Sequence, residues 1–237
     1  MVRPPGQGIG DDHSETDPMT DADSASSAGL RPAVRPAPSR GLASDVVRWL
    51  CGLYLTLSGW TVPREWPPLD KAVAIVAPHT SNWDGPILLA TAGYLRVKPK
   101  WLAKASLVDS PFGGLLRWLG CIPVDRSAGG DVIRTVSEAF RTHDRMILGL
   151  APEGTRSLTP EWKSGFYRMA CAAGVPIILG VIDYRTRTVS LAAVIHPTGD
   201  YAADLVRIQS YYRDAVGKNP DQTQCGTGAF PPLPDDA

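Results

Sequence analysis

From residue 45 onward the chain alternates segments whose apolar residues recur at helical spacing with short unbroken apolar runs closed by Gly, Pro or a charge. Residues 45–60 set Val46, Val47, Trp49, Leu50, Leu53, Tyr54, Leu57 and Trp60 on one apolar face, interrupted by Arg48 and Ser58, and predict an amphipathic helix. Residues 72–77 are a run of small and β-branched residues stopped by Pro78, the pattern of a buried strand. Helical spacing returns over 87–95, and 100–104 reads as a short strand. Residues 106–119 are broken by Pro111 and Gly113-Gly114, which predicts a turn followed by a helix. Further strands are expected at 121–124, 146–150, 175–182 and 189–195, and further helices at 131–143, 165–173 and 201–216. This order predicts an α/β fold. We expect a single domain over 43–217, with a mainly parallel central sheet covered by helices, an N-terminal amphipathic helix and room for antiparallel strands near its end.

Composition changes the picture at the two ends. Residues 1–42 are rich in Pro, Ser, Gly, Ala and Asp and nearly free of large apolar side chains, and residues 218–237 contain four prolines and end in Asp-Asp-Ala. Both are expected to be disordered tails. The first lacks the basic start and apolar core of a secretory signal. Formal net charge is zero, but residues 1–44 carry four basic and six acidic groups and 219–237 three acidic groups, which leaves the body 20 basic against 15 acidic. That surplus of five suits an anionic small molecule or an anionic membrane surface. It is too small for nucleic acid, and no nucleic-acid motif is present. Cys51, Cys121, Cys171 and Cys225 show no C-x-x-C spacing and read as reduced core thiols, with neither a disulfide framework nor a zinc site indicated. The 45–60 helix, at 16 residues with an internal arginine, falls short of the roughly 20 residues that span a bilayer. Two readings of it stand: a helix packed on the core, or one lying in a membrane interface.

Candidate chemistry sits where strands open into loops. His79 and Asp84 follow the 72–77 strand and are five positions apart, so on one helix they would point about 140° away from each other. Across a loop they can meet. The carboxylate would then accept the imidazole N–H, fix its tautomer and leave the other ring nitrogen as a general base. The plainer alternative makes His79 a loop donor and Asp84 the cap of the next helix. Arg126, Glu153, Gly154 and Arg156 also lie in loops directly after apolar strands. An arginine there offers paired N–H groups to phosphate oxygens, and Gly154 lets backbone approach a ligand. Glu153 has an alternative as the ion-pair partner of Arg156. Ser81 lies outside any G-x-S-x-G elbow and is expected to support its loop. A metal is not expected at His79 and Asp84, because two ligands without a third make a poor cage.

Four blocks, His79-Thr80-Ser81-Asn82-Trp83-Asp84, Ile122-Pro123-Val124-Asp125-Arg126-Ser127, Pro152-Glu153-Gly154-Thr155-Arg156-Ser157 and Gly174-Val175-Pro176-Ile177, resemble in content and order those of the glycerophospholipid acyltransferases of the lysophosphatidate type. Lys104 and Lys163-Ser164-Gly165 resemble that family's flanking lysine positions, and the resemblance covers about residues 45–217. It implies acyl transfer from acyl-CoA or acyl-carrier protein to the hydroxyl of a lysophospholipid, 1-acylglycerol-3-phosphate foremost, without a cofactor or a covalent enzyme intermediate. His79 oriented by Asp84 would be the base. Arg126, Glu153 and Gly154 would serve the acceptor, with Arg156 and Lys104 on its phosphate. The expected location is the cytoplasmic face of a membrane, held peripherally by the 45–60 helix. Ile178-Leu179-Gly180 stands where many members have a second proline, which leaves the acceptor open to another lyso-lipid. A thioesterase or ester hydrolase that uses the same pair on water, and a noncatalytic lipid- or partner-binding protein, are the alternative classes.

Overall fold

The computed structural model describes residues 41–124 and 129–223, the side chains of residues 103–105, 107 and 129–131 excepted. In chain order the elements are α1 (Leu42–Leu57), β1 (Lys71–Ala77), α2 (Asp84–Tyr94), β2 (Lys100–Lys104), α3 (Ala105–Val108), α4 (Gly113–Trp118), β3 (Cys121–Val124), α5 (Gly129–Thr142), β4 (Met146–Leu150), α6 (Gly165–Ala173), β5 (Ile177–Asp183), β6 (Thr188–Ile195) and α7 (Tyr201–Ser210). A 3-10 turn at Pro220–Gln222 follows. The six strands form one sheet in the order β3-β2-β4-β1-β5-β6. All pairings are parallel except β5 with β6. This is the α/β fold expected from the alternation, with its antiparallel strand at the end.

Strand β1 is central because it is apolar on both sides. Val73, Ile75 and Ala77 face a cluster built from α5, α6 and α7, including Val136, Phe140, Phe166, Ala170 and Ile208. Ala72 and Ala74 face the other way, onto Ile147, Ile178 and Trp66. On that second side α2 lays Ile87 and Ala90 against Ile182 and Val189, and α1 joins them through Leu55. A fully buried Val or Ile contributes about 1.5–3 kcal/mol, so β1 is held from both layers. The chain leaves β1 for β2 on one side and leaves β4 for β5 on the other, with α2 and α6 on opposite faces. The carboxyl ends of β1 and β4 therefore border a topological switch point, where α/β sheets bind ligands.

Several boundaries differ from the sequence expectation. Helix α1 ends at Leu57, and Gly59 at φ +74° turns the chain so that Trp60 meets Tyr184 edge-on, ring centroids 4.9 Å apart. Trp60 is thus a packing residue beyond the helix. The last helix stops at Ser210 rather than 216, because Tyr212 and Ala215 turn inward and are buried. Beyond Gly217, residues 218–222 are exposed and Thr223 is buried. Of the expected core thiols Cys121 is buried and Cys51 half-buried, but Cys171 is exposed on α6, and Cys225 lies outside the described residues.

Candidate active site

The loop after β1 is shaped by Asp84. Its Oδ2 accepts the backbone N–H of Ser81 at 2.9 Å, and the Ser81 hydroxyl accepts the Trp83 N–H at 3.2 Å. The same Oδ2 lies 2.9 Å from Nδ1 of His79. His79 and Asp84 therefore meet across the loop; Asp84 is the first residue of α2, whose N-cap is Trp83 without a side-chain cap bond, so the cap reading of Asp84 is not the one the structure takes. Asp84 is fully buried. Burial pushes its carboxyl up, but donors outweigh this: His79, Tyr184 and the Ser81 N–H together hold it below the usual carboxylate value. With Nδ1 engaged by the carboxylate, Nε2 is the ring nitrogen left for a reacting group.

Glu153 enters from the loop after β4, next to β1 in the sheet. It is buried, and its Oε1 accepts the backbone N–H of His79 at 3.1 Å. No ion pair joins it to Arg156. Its Oε2 is buried without a hydrogen-bond partner. Burial raises the Glu153 carboxyl, against the opposing effect of its own and His79's N–H groups. Gly154, at φ +63°, carries the Lys163 side chain across its bare face: a Cβ there would stand 2.8 Å from Lys163 Cδ and 3.2 Å from its Nζ. A side chain at 154 would have to displace that ammonium. Arg156 is exposed two residues farther along the loop.

Lys104 is the last residue of β2, and β3 ends at Val124 on the same edge. Arg126 lies outside the described residues. The structure thus brings His79, Asp84, Glu153 and Gly154 together beside the switch point, with Arg156 on the same loop as Glu153. A buried carboxylate against a half-buried imidazole is an arrangement that can move a proton. A family model described as acyltransferase matches residues 61–182, more than half of the chain and the whole of this edge.

The chain belongs to the acyltransferase family. Over 124 residues it is 33% identical to the 1-acyl-sn-glycerol-3-phosphate acyltransferase of Salmonella typhimurium, covering 49% of this chain and 49% of that protein. It is 31% identical over 123 residues to the Escherichia coli protein of the same name, again 49% of each chain. A probable 1-acyl-sn-glycerol-3-phosphate acyltransferase of Mycoplasma pneumoniae is 32% identical over 143 residues, 54% of this chain and 52% of that one. The chain spans about half the length of the curated relatives it matches. Among solved structures, the 1-acyl-sn-glycerophosphate acyltransferase PlsC from Thermotoga maritima superposes with a TM-score of 0.49 at 18% identity, over 68% of this chain and 72% of that one.

Two parts of this acyltransferase were not foreseen from its sequence. The Tyr184 hydroxyl donates to Asp84 Oδ1 at 2.6 Å from the turn after β5. A strap formed by residues 216–223 holds the His79 loop from behind: Asn219 donates its backbone N–H to Thr80 Oγ1 at 3.1 Å and its side-chain amide to the Thr80 carbonyl at 2.8 Å. The first was signalled only through register. Val181 pairs with Ala77, so Tyr184 stands as far past Val181 as Thr80 stands past Ala77. The strap had no signal in a segment rich in Pro and polar residues.

Proposed function

We propose that this acyltransferase moves a fatty acyl group from a thioester donor, acyl-CoA or acyl-carrier protein, to the hydroxyl of a lysophospholipid, 1-acylglycerol-3-phosphate foremost, at a membrane surface. The observation that carries the reading is the 2.9 Å contact of His79 Nδ1 with the fully buried Asp84. His79 Nε2 takes the proton of the acceptor hydroxyl as the oxygen attacks the thioester carbonyl. The C–O bond forms, the tetrahedral adduct collapses, the C–S bond breaks, and the imidazolium returns its proton to the departing sulfur. Asp84 keeps Nδ1 protonated and balances the transient positive charge. Arg126, Arg156 and Lys104, with Glu153 and Gly154, are assigned to the acceptor and its phosphate. The identity of three relatives named for the 1-acylglycerol-3-phosphate reaction supports this acceptor. Exposed apolar residues of α1, among them Trp49, Leu50 and Leu57, support a peripheral seat on the membrane. No helix among the described residues is long and apolar enough to cross it.

The test is purified protein with acyl-labelled acyl-CoA and three acceptors: 1-acylglycerol-3-phosphate, a zwitterionic lysophospholipid and monoacylglycerol. Label should pass to 1-acylglycerol-3-phosphate with the highest kcat/KM. Arg126→Ala should lower that value by roughly ten- to a hundredfold, from about 1.5–3 kcal/mol per charged hydrogen bond. Free fatty acid as the sole product would establish a hydrolase instead. An equal loss with monoacylglycerol would remove Arg126 from the phosphate.

A further inference from the structure

We infer that Tyr184 is a positioning residue for the His79–Asp84 pair, fixing the orientation of the Asp84 carboxylate by holding the oxygen that the histidine does not use. The inference rests on the proposed role of His79 as base. Both Asp84 oxygens are engaged from different parts of the chain: Oδ2 by His79 Nδ1 and the Ser81 N–H, Oδ1 by the Tyr184 hydroxyl at 2.6 Å. Rotation of the carboxylate would break all three contacts in a side chain with no exposure to water. Water therefore cannot replace Tyr184 without opening the site.

The tyrosine is itself fixed. Its ring meets Trp60 edge-on at 4.9 Å, and its backbone N–H donates to the Val216 carbonyl at 2.8 Å. The residue thus ties the carboxylate to the turn after β5, to the segment after α1 and to the start of the C-terminal strap. The hydroxyl is a donor throughout, since burial and then the Asp84 carboxylate both push its ionisation upward. The other titratable groups that face this cluster are Glu153 from the loop after β4 and Tyr54 from α1.

Removal of the hydroxyl leaves Oδ1 buried and unpaired, free to turn and to draw the imidazole out of line. The chemical step should suffer and substrate binding should not. Tyr184→Phe is expected to lower kcat about tenfold, with KM for donor and acceptor within about twofold of the parent, the signature of an interaction that acts in the transition state. In an Asp84→Asn background the same change should cost less than about twofold more, because the two residues act through one contact. The matched control is Thr186→Ala, which removes a hydrogen bond to Asp183 in the same turn and leaves Asp84 untouched.

A second arm reads the pair without turnover. The His79 Nδ1–H proton resonance of the full chain should be displaced by Tyr184→Phe and unmoved by Thr186→Ala. If Tyr184→Phe does not fold, 3-fluorotyrosine in place of Tyr184 keeps the shape, makes the phenol a stronger donor, and should also displace the resonance. A kcat within about twofold of the parent, an equal loss in the Asp84→Asn background, or an unmoved resonance would each overturn the inference. Activity retained by His79→Ala would instead overturn the proposed mechanism, and the resonance arm would still decide whether Tyr184 sets the geometry of the pair.

Discussion

At the scale of single residues, the site shifts two carboxyl groups in opposite directions. Asp84 is buried yet surrounded by donors, so its depressed pKa favours the fold above the ordinary aspartate value of 3.8, and this contribution is lost as pH falls through the folded value. Glu153 is buried with one oxygen unpaired, so its pKa is raised. Its stabilising contribution is full below the ordinary value of 4.5 and is lost as pH rises through the folded value. Glu153→Gln, neutral at every pH and of the same shape, should therefore gain thermal stability relative to the parent between pH 4 and pH 7. Melting curves at the two pH values check this, and a constant difference between the proteins would mean that Glu153 is not strained by its burial. For the pair itself, His79→Ala should lower turnover by about two to four orders of magnitude, with circular dichroism unchanged. Asp84→Asn should be nearly as harmful. Normal turnover by a folded His79→Ala protein would exclude general-base catalysis at this residue.

At the scale of elements, the strands were legible because their cause is local. Residues 100–104, 121–124 and 146–150 have the bounds the apolar runs predict, and 165–173 is the helix its spacing predicts. Where the chain was misjudged, the cause is tertiary. The 201–216 segment keeps helical spacing past Ser210, but burial of Tyr212 and Ala215 turns it inward, and the following strap is held by bonds to Thr80 together with its own. The same limit applies to the site: His79, Asp84, Glu153 and Gly154 stood out as loop residues after strands, whereas Tyr184 depends on which strand is neighbour to which. Gly217 shows how closely the strap is fitted, since a Cβ there would lie 2.6 Å from Thr80 Oγ1 and 2.7 Å from Thr223 Oγ1. Gly217→Ala must push the strap off the His79 loop, at about 1–3 kcal/mol for overpacking. Unfolding curves should show that loss and kcat should fall with it, while Asn219→Ala, which removes the side-chain amide bond to the Thr80 carbonyl but keeps the backbone one and adds no clash, should fall part of the way. Unchanged stability in Gly217→Ala would show that the strap gives way freely.

At the scale of the whole molecule, the proposed function needs the candidate edge of the sheet to meet an acceptor in a lipid surface, and α1 is the described helix with the most exposed large apolar side chains. It packs on α2 through Leu55 and Cys51, while Val46 is 53% exposed, Trp49 64% and Leu57 79%. The Arg48 guanidinium stacks on Tyr94 of α2 at 4.8 Å, so the helix is held to the body while that apolar face stays open. Both readings of this segment therefore have a basis in one helix, one face for the core and one for the proposed membrane. Full burial of a large apolar side chain is worth about 1.5–3 kcal/mol, and half-exposed residues would recover part of that in a membrane interface. Combining Trp49→Ser, Leu50→Ser and Leu53→Ser leaves Leu55, Cys51 and Arg48 in place, so the fold should persist. Co-sedimentation with anionic liposomes should then drop by about tenfold or more, the equivalent of 1.4 kcal/mol or more. Turnover of a short-chain acceptor dissolved as monomer should stay near the parent value, while turnover of the same headgroup embedded in vesicles should fall with binding. That split separates a surface anchor from a structural helix. Undiminished liposome binding would place the membrane contact elsewhere on the molecule, and an equal loss with the dissolved acceptor would make α1 part of the catalytic body.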